Sequence, residues 1–322
     1  MIYKNLKEAA ALLVGHCGFD EIENVGPVAV RFTPDQLKFY ASHSDTDYLR
    51  SHSMTGISLR FSTDVAKIGF DYRFVGAYCI SSGIDIYEDG VLCENVALKK
   101  TEDIVSVEYA VKNPGCADIE IHFPHGTVIV PLNLDLGNAR PKGSPEKLAL
   151  FYGDSITQAA YTTTPSLTWT TYVAESLGAR ELNRGIGSFY FNVDSLPEST
   201  DCIPDWLFIE YGFNDLAKFS DDDYIMDIAE KYLKRINVLY PSAKKYLITT
   251  EFGKGAAATD EAFARRHAYC RRLEKLAAEL GIRVINGSKL VPTMPVMFAA
   301  DFVHLSEAGC AVFAHNLVKY MD

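Results

Sequence analysis

The chain has 322 residues, 48% of them hydrophobic and 23% charged, the proportions of an ordinary globular protein long enough for about two domains. Its formal net charge of -11 would repel a polyanion, so nucleic acid is excluded as the natural partner. No stretch approaches the roughly 18 apolar residues that a membrane span requires, so no membrane partner is expected either.

Seven cysteines are scattered through the sequence (Cys17, Cys79, Cys93, Cys116, Cys202, Cys270 and Cys310). The number is odd and no Cys-x-x-Cys occurs, so neither a zinc site nor a disulfide framework is expected. Isolated thiols fit a reducing compartment. The apolar run Ala9 to Val14 follows Glu8 and is too short for the core of a signal peptide. A cytoplasmic protein is the expectation.

Taken in chain order, Tyr3 to Val14 is predicted to be a helix, the only one in the first half. After it the pattern alternates with period two. Val28-Ala-Val-Arg-Phe, Gly56-Ile-Ser-Leu-Arg-Phe, Lys67-Ile-Gly-Phe-Asp-Tyr, Ile84-Asp-Ile-Tyr and Ile119-Glu-Ile-His-Phe read as strands. Glu88-Asp-Gly, Lys112-Asn-Pro-Gly and Pro124-His-Gly are turn signals between them. Short strands with regular turns and no intervening helices predict an all-β, jelly-roll-like sandwich. Its edge strands could pair chains into a homo-oligomer. Two prolines and two glycines in Gly137-Asn-Ala-Arg-Pro-Lys-Gly-Ser-Pro-Glu146 mark a linker. The domains are placed at 1–143 and 144–322.

The second half changes rhythm. Lys147 to Tyr152 is a compact apolar run, as a buried parallel strand would be. Leu167 to Leu177 reads as a helix ended by Gly178, and Trp206 to Tyr211 as a strand. Ser220 can cap a helix that runs to about Leu239, before Pro241. Lys245 to Thr250 is a third strand, and Asp260 to Leu280 a helix with Gly281 as C-cap. Arg283-Val-Ile is a fourth strand, and Ser306 to Met321 a closing helix. Strand–helix alternation of this kind predicts a parallel sheet covered on both faces.

Four short blocks fall at the ends of these elements. Gly153-Asp154-Ser155 directly follows a strand, where open α/β sheets bind ligands; alone, Ser155 would read as a helix N-cap. Asn183-Arg-Gly-Ile-Gly-Ser188 has glycines that let a backbone N–H approach a substrate, though a tight turn would explain them. Gly212-Phe-Asn-Asp215 follows the strand at 206–211. Asn214 there can offer its side-chain N–H to an oxyanion or be an ordinary turn asparagine; Asp215 reads as a brace for the loop. Asp301-Phe-Val-His304 precedes the last helix. An acid three residues away can orient the imidazole through Nδ1, leaving Nε2 to accept a serine proton; alone, His304 would be a surface or capping histidine.

Taken together and in this order, the four blocks resemble those of the SGNH/GDSL hydrolases over about residues 147–322. The resemblance implies a flavodoxin-like three-layer α/β/α fold. It implies Ser155 as nucleophile, His304 as base and Asp301 as its orienting acid. The oxyanion hole would comprise the Ser155 N–H, the Asn214 side chain and a backbone N–H from Gly187 or Ser188. The family has glycine where Ser188 aligns, so the choice between those two stays open. The sandwich resembles jelly-roll modules found beside SGNH domains in some carbohydrate esterases.

No Gly-x-Ser-x-Gly occurs, which argues against the α/β-hydrolase elbow, and no His-Glu-x-x-His or Gly-x-Gly-x-x-Gly suggests a metal or a dinucleotide. No metal and no cofactor are expected. The expected activity is hydrolysis of short acyl esters, acetyl above all, on a carbohydrate. The partner is then a small-molecule acyl ester such as an acylated sugar. An acyltransferase on the same scaffold is the alternative. A binding protein with an inactive hydrolase half is a third reading, disfavoured because every triad residue type is retained. Tyr161, Trp169, Tyr190, Tyr211 and Phe213 lie near the blocks and could stack on a sugar, although core packing would explain any one of them. Asp154, Trp169, Tyr190 and Phe213 are the candidate substrate contacts.

Overall fold

The computed structural model describes residues 2–79, 82–252 and 259–321. In the first half, eight strands form two sheets: Ile2–Asn5, Ser58–Thr63, Lys67–Ala77, Ile84–Glu88, Val91–Val96, Val105–Ala110, Ala117–His122 and Thr127–Asp135. Counted one to eight in chain order, they pair as 1-8-3-6 in one antiparallel sheet and 2-7-4-5 in the other. That is the strand order of a jelly roll. The alternation supplies its core: Leu59 and Phe61 point inward from one strand, Ile119 and Ile121 from its neighbour. Between strands four and five, Asp89 and Gly90 take φ of 51° and 79°. Two successive left-handed residues make the tight hairpin turn that suits the sheet's twist.

Two expectations for this half are corrected. Tyr3 to Val14 is not a helix. Ile2–Asn5 pairs with Thr127–Asp135, Ala10–Leu12 is a single 3-10 turn, and Leu13–Val14 pairs with Ser58–Thr63. Leu6, Ala9 and Leu12 do have helix-like spacing and are buried, but the backbone groups beside them find partners on the sheets, which overrides a weak helical preference. Conversely, Pro34–His43 and Asp45–His52 are helices where none was expected. Thr33 and Gln36 form a reciprocal capping box with Pro34 in the first turn, and Ser44 caps the next helix by accepting from Asp47 N–H. The signal was present as Thr33-Pro-Asp-Gln36.

The second half is a five-stranded parallel sheet of Lys147–Gly153, Ala179–Gly185, Trp206–Glu210, Lys244–Ile248 and Arg283–Ile285. Numbered in chain order, the strands lie 2-1-3-4-5, the flavodoxin-like order. The strand at 179–185 was not read from the sequence because Arg180, Glu181, Asn183 and Arg184 look like loop residues. Three of them are buried with partners. Arg184 is paired with Asp201 and donates to the Tyr152 hydroxyl; Glu181 accepts from Thr171; Asn183 donates to the Thr157 carbonyl.

Alternation along the buried strands divides the apolar core in two. Phe151, Phe208 and Ile248 pack with Trp169 and Phe313, which come from helices Trp169–Ser176 and Glu307–Lys319. Leu150, Leu207 and Leu247 pack with Leu233, Ile236 and Leu273 from helices Asp222–Leu239 and Asp260–Glu279. Asp221, not Ser220, caps the helix that follows it, accepting from Asp223 and Tyr224 N–H. The second cluster continues without a break into Leu59 and Ile119 of the jelly roll. Arg31 crosses the same junction. Fully buried, it donates to the carbonyls of Asn183 and Gly185 on one side and of Arg50 and Ser53 on the other.

Candidate active site

The strand order reverses direction at Lys147–Gly153, which has the second strand on one side and the third on the other. Such a switch point leaves a crevice at the carboxyl ends of the strands. Ser155 lies two residues beyond that end. The segment after it is a series of turns, with Gln158 N–H donating to Asp154 O and Ala160 N–H to Ser155 O. The Ser155 N–H itself has no hydrogen-bond partner among the described residues.

His304 reaches the same point from the loop before the last helix. Its Nε2 lies 2.7 Å from Ser155 Oγ, and its Nδ1 lies 2.6 Å from Asp301 Oδ2. The loop is self-organised: Asp301 Oδ1 accepts from the N–H groups of Val303 and His304. Burial disfavours the Asp301 carboxylate, but the N–H groups of Val303 and His304 and the imidazole together hold its pKa below the ordinary value. Burial lowers the pKa of His304, and Asp301 opposes that only in part. At neutral pH the imidazole is therefore uncharged and free to accept a proton. The Tyr161 ring lies parallel to it, with centroids 4.0 Å apart and 17° between the planes.

Three further donors, two backbone and one side-chain, line the same cavity as the serine. Gly187 N–H is donated to Gln158 Oε1 at 2.7 Å. Ser188 N–H has no partner among the described residues, and Ser188 takes φ of 60°, a conformation costly for a residue with a Cβ. Asn214 stands at the end of the third strand, where Gly212 with φ of 128° turns the chain into a short helix. Both hydrogens of its amide are engaged, with Asp154 Oδ2 and the Phe189 carbonyl each 3.0 Å from Nδ2. An acyl oxygen arriving there would share one of them.

Beneath these groups lie three buried carboxyls: Asp154, Glu210 and Asp215. Burial, reinforced by the charge of Asp215, raises the pKa of Asp154 to about 7. Burial raises Asp215 to about 7 as well, and pushes Glu210 well above the carboxylate range, with Asp154 adding to the effect. Asp215 Oδ1 accepts from Phe191 N–H, the loop brace expected of it.

The cavity over Ser155 has a volume of about 260 Å³ and is lined by Tyr161, Phe213 and Asn214. The first half also contributes to it, through Arg50, Tyr78 and Cys79. The sequence held no signal for these three, because only the packing of the halves brings them to the serine. A larger cavity of about 620 Å³ lies at the opposite end of the sheet, where Leu148 and Arg180 start their strands, and contains none of the groups above.

Some expected substrate contacts are corrected. Trp169 is wholly buried, packs on Phe151 and Phe313, and donates its indole N–H to the Ile156 carbonyl. It is a core residue that fixes the turn after Ser155. Tyr211 is likewise buried, between Phe191 and Tyr232. Tyr190 stacks on Phe189 beside Lys218 and does not line the cavity. Asp154 borders the cavity, but its carboxylate is taken by Ile156 N–H and Asn214. Phe213 remains in the lining.

A family model described as GDSL-like Lipase/Acylhydrolase matches residues 151–312. No curated protein sequence matches the chain. Among solved structures, a salicylyl-acyltransferase from a tetracycline biosynthetic pathway superposes with a TM-score of 0.80 at 15% identity, over 96% of this chain and 93% of that one. A family two carbohydrate esterase from Clostridium thermocellum does so with a TM-score of 0.65 at 13% identity, over 84% and 92%. An acetyl xylan esterase from Butyrivibrio proteoclasticus gives 0.65 at 11% identity, over 100% and 97%. At these identities the likeness is one of fold.

Proposed function

The chain belongs to the GDSL-like lipase/acylhydrolase family, a family of carboxylic ester hydrolases, and from that premise we propose that it hydrolyses short acyl esters, acetyl above all, on a carbohydrate. The observation that carries this reading is the unbroken line Asp301–His304–Ser155, joined by contacts of 2.6 and 2.7 Å. It opens into a cavity of about 260 Å³, below the usual range for drug-sized ligands. A cavity of that size supports a small ester as substrate.

The chemistry follows from the geometry. Ser155 Oγ attacks the ester carbonyl carbon while His304 Nε2 takes the hydroxyl proton. Asp301, hydrogen-bonded to Nδ1, stabilises the imidazolium that results. The carbonyl oxygen becomes an oxyanion held by the N–H groups of Ser155 and Ser188, which have no partner among the described residues, with the amide of Asn214 beside them. On collapse, the carbon–oxygen bond to the alcohol breaks and His304 returns the proton to that alcohol. Water then repeats the sequence on the acyl-enzyme and releases the acid.

A chain-length series of 4-nitrophenyl esters, run beside acetylated oligosaccharides, tests the substrate. Activity should be highest for acetate, fall steeply by octanoate, and release acetate from the sugar. A preference for long chains would contradict the reading. The fold likeness to an acyltransferase supports a second reading, acyl transfer to a sugar or metabolite hydroxyl. Its signature would be no hydrolysis of acetylated sugars together with ester formation on an added alcohol.

A further inference from the structure

The cavity over Ser155 has one formal charge in its lining that is not locked beneath the surface, and it comes from the other half of the protein. Arg50 lies in the last turn of the helix Asp45–His52 of the first half and lines the cavity with Ser155, Ser188 and His304. The remaining charged residue of that lining, Asp154, is buried and held by Ile156 N–H and Asn214.

Arg50 is held in place from behind. Its Nη1 donates to Asp47 Oδ1 at 2.9 Å. Its own carbonyl accepts from Arg31 and from Gln158. Its guanidinium carbon lies 5.9 Å from the centre of the Tyr78 ring. In front, among the described residues, Nη2 reaches only the neutral Ser188 hydroxyl at 3.2 Å and Nε has no partner. The backbone at Gly187 is bare to let it in: a Cβ there would stand 3.2 Å from Arg50 Nε. The other oxygen of Asp47 lies 2.5 Å from His43 Nδ1.

A guanidinium has five N–H donors in a rigid fork that matches a carboxylate. Here one donor faces a carboxylate behind it and one a weak neutral acceptor, while the head stands in an ester-sized cavity on an otherwise acidic protein. We propose that Arg50 binds an anionic group, a carboxylate, carried by the ester substrate close to its scissile bond. This rests on Ser155 being the nucleophile of an esterase. It makes the jelly roll part of the substrate site and Arg50 a specificity-determining residue.

The test uses the full chain and reads Ser155 directly. Fluorophosphonates react when Ser155 Oγ bonds to phosphorus, fluoride leaves, and His304 takes the hydroxyl proton. Two probes carry a carboxylate on a two-carbon chain, one on the P–C arm and one on the P–O arm. Each is compared with its methyl ester by the second-order rate of labelling, mapped to Ser155 by mass spectrometry. The wild type should label faster with the carboxylate than with the ester in at least one pair, by about ten- to a hundredfold for a charge-assisted contact. The arm that shows it tells whether the anion sits on the acyl or the alcohol side. In Arg50→Gln that ratio should fall to about one. Because the ratio is taken within each protein, a general loss of reactivity cancels. Arg50→Lys, which keeps the charge without the fork, should retain only part of the ratio, and it decides the matter if Arg50→Gln does not fold. Equal labelling by both members of both pairs, faster labelling by the esters, or an undiminished preference in the variant would overturn the role of Arg50 and leave the esterase reading standing. No labelling of Ser155 by any probe would overturn both.

Discussion

Tyr161 lies flat against the imidazole of His304, with ring centroids 4.0 Å apart. The contact covers one face of the group that must be neutral to take a proton. Burial is the larger influence on that group and lowers its pKa from the ordinary 6.5. Only neutral His304 serves as base, so kcat/KM should rise with pH through a midpoint below 6.5. Tyr161→Ala opens the face to water and relaxes the burial, so the midpoint should move up toward 6.5. Tyr161→Phe keeps the ring and should leave it in place. A midpoint identical in wild type and Tyr161→Ala would show that the stacked ring has no hold on the base.

The oxyanion donors differ in what they can lose. Ser188→Gly keeps the backbone N–H beside the cavity and relieves a left-handed φ of 60°. Activity should stay within about tenfold, and stability should rise by up to about 1 kcal/mol. Asn214→Ala removes a side-chain donor and should lower kcat by about two to three powers of ten, with KM little changed. Steady-state kinetics of the two variants decide this. An effect of Asn214→Ala confined to KM would mean that Asn214 only binds substrate.

The buried carboxyls should make stability pH-dependent. In the folded state Asp215 holds its proton up to about pH 7, whereas its ordinary value is 3.8. The folded state therefore binds the proton more tightly than the unfolded state between those values. The stabilisation is present below pH 4 and is lost as pH rises through about 7. Asp215→Asn cannot ionise, and its carbonyl can still accept from Phe191 N–H. Its Tm relative to wild type should rise between pH 5 and pH 8 by several degrees, at about 2–4 °C per kcal/mol. Thermal unfolding at the two pH values measures this, and a constant difference would contradict it.

The junction between the halves should be structural as well as functional. Arg31→Met strips a donor from four buried carbonyls, those of Asn183, Gly185, Arg50 and Ser53. At about 1–3 kcal/mol for each polar group left unsatisfied, stability should fall by at least about 3 kcal/mol. Because one apolar cluster runs through both halves, urea should unfold the variant in a single transition. A loss below about 1 kcal/mol, or two transitions with only one displaced, would argue that the halves fold independently.

What could be read from the sequence followed from local pattern. Strands such as Ser58–Thr63 and Ala117–His122 bury one face, so their period was plain, and the four blocks sit at strand and helix ends that periodicity marks. The strand Ala179–Gly185 was hidden because its buried residues are polar, and their partners, Asp201, Thr171 and Thr157, are spread along the chain. The Tyr3–Val14 segment misled because its apolar spacing suits a helix while its backbone is claimed by two sheets. Trp169 stood near the blocks in sequence, yet its ring faces the core. Arg50 could not be read at all: nothing near it in the chain resembles a site, and only the packing of the two halves, which sets it against Gln158 and Ser188, carries it to Ser155.

The most direct test of the central claim is turnover by Ser155→Ala. The substitution removes one hydroxyl from a turn at the end of a strand and leaves its packing alone, so circular dichroism and Tm should match the wild type. Hydrolysis of 4-nitrophenyl acetate should fall by at least about a thousandfold, the scale of losing a nucleophile whose role no neighbour can take over. A folded Ser155→Ala protein that hydrolyses the ester at a rate comparable to wild type would show that the nucleophile lies elsewhere and would contradict the account.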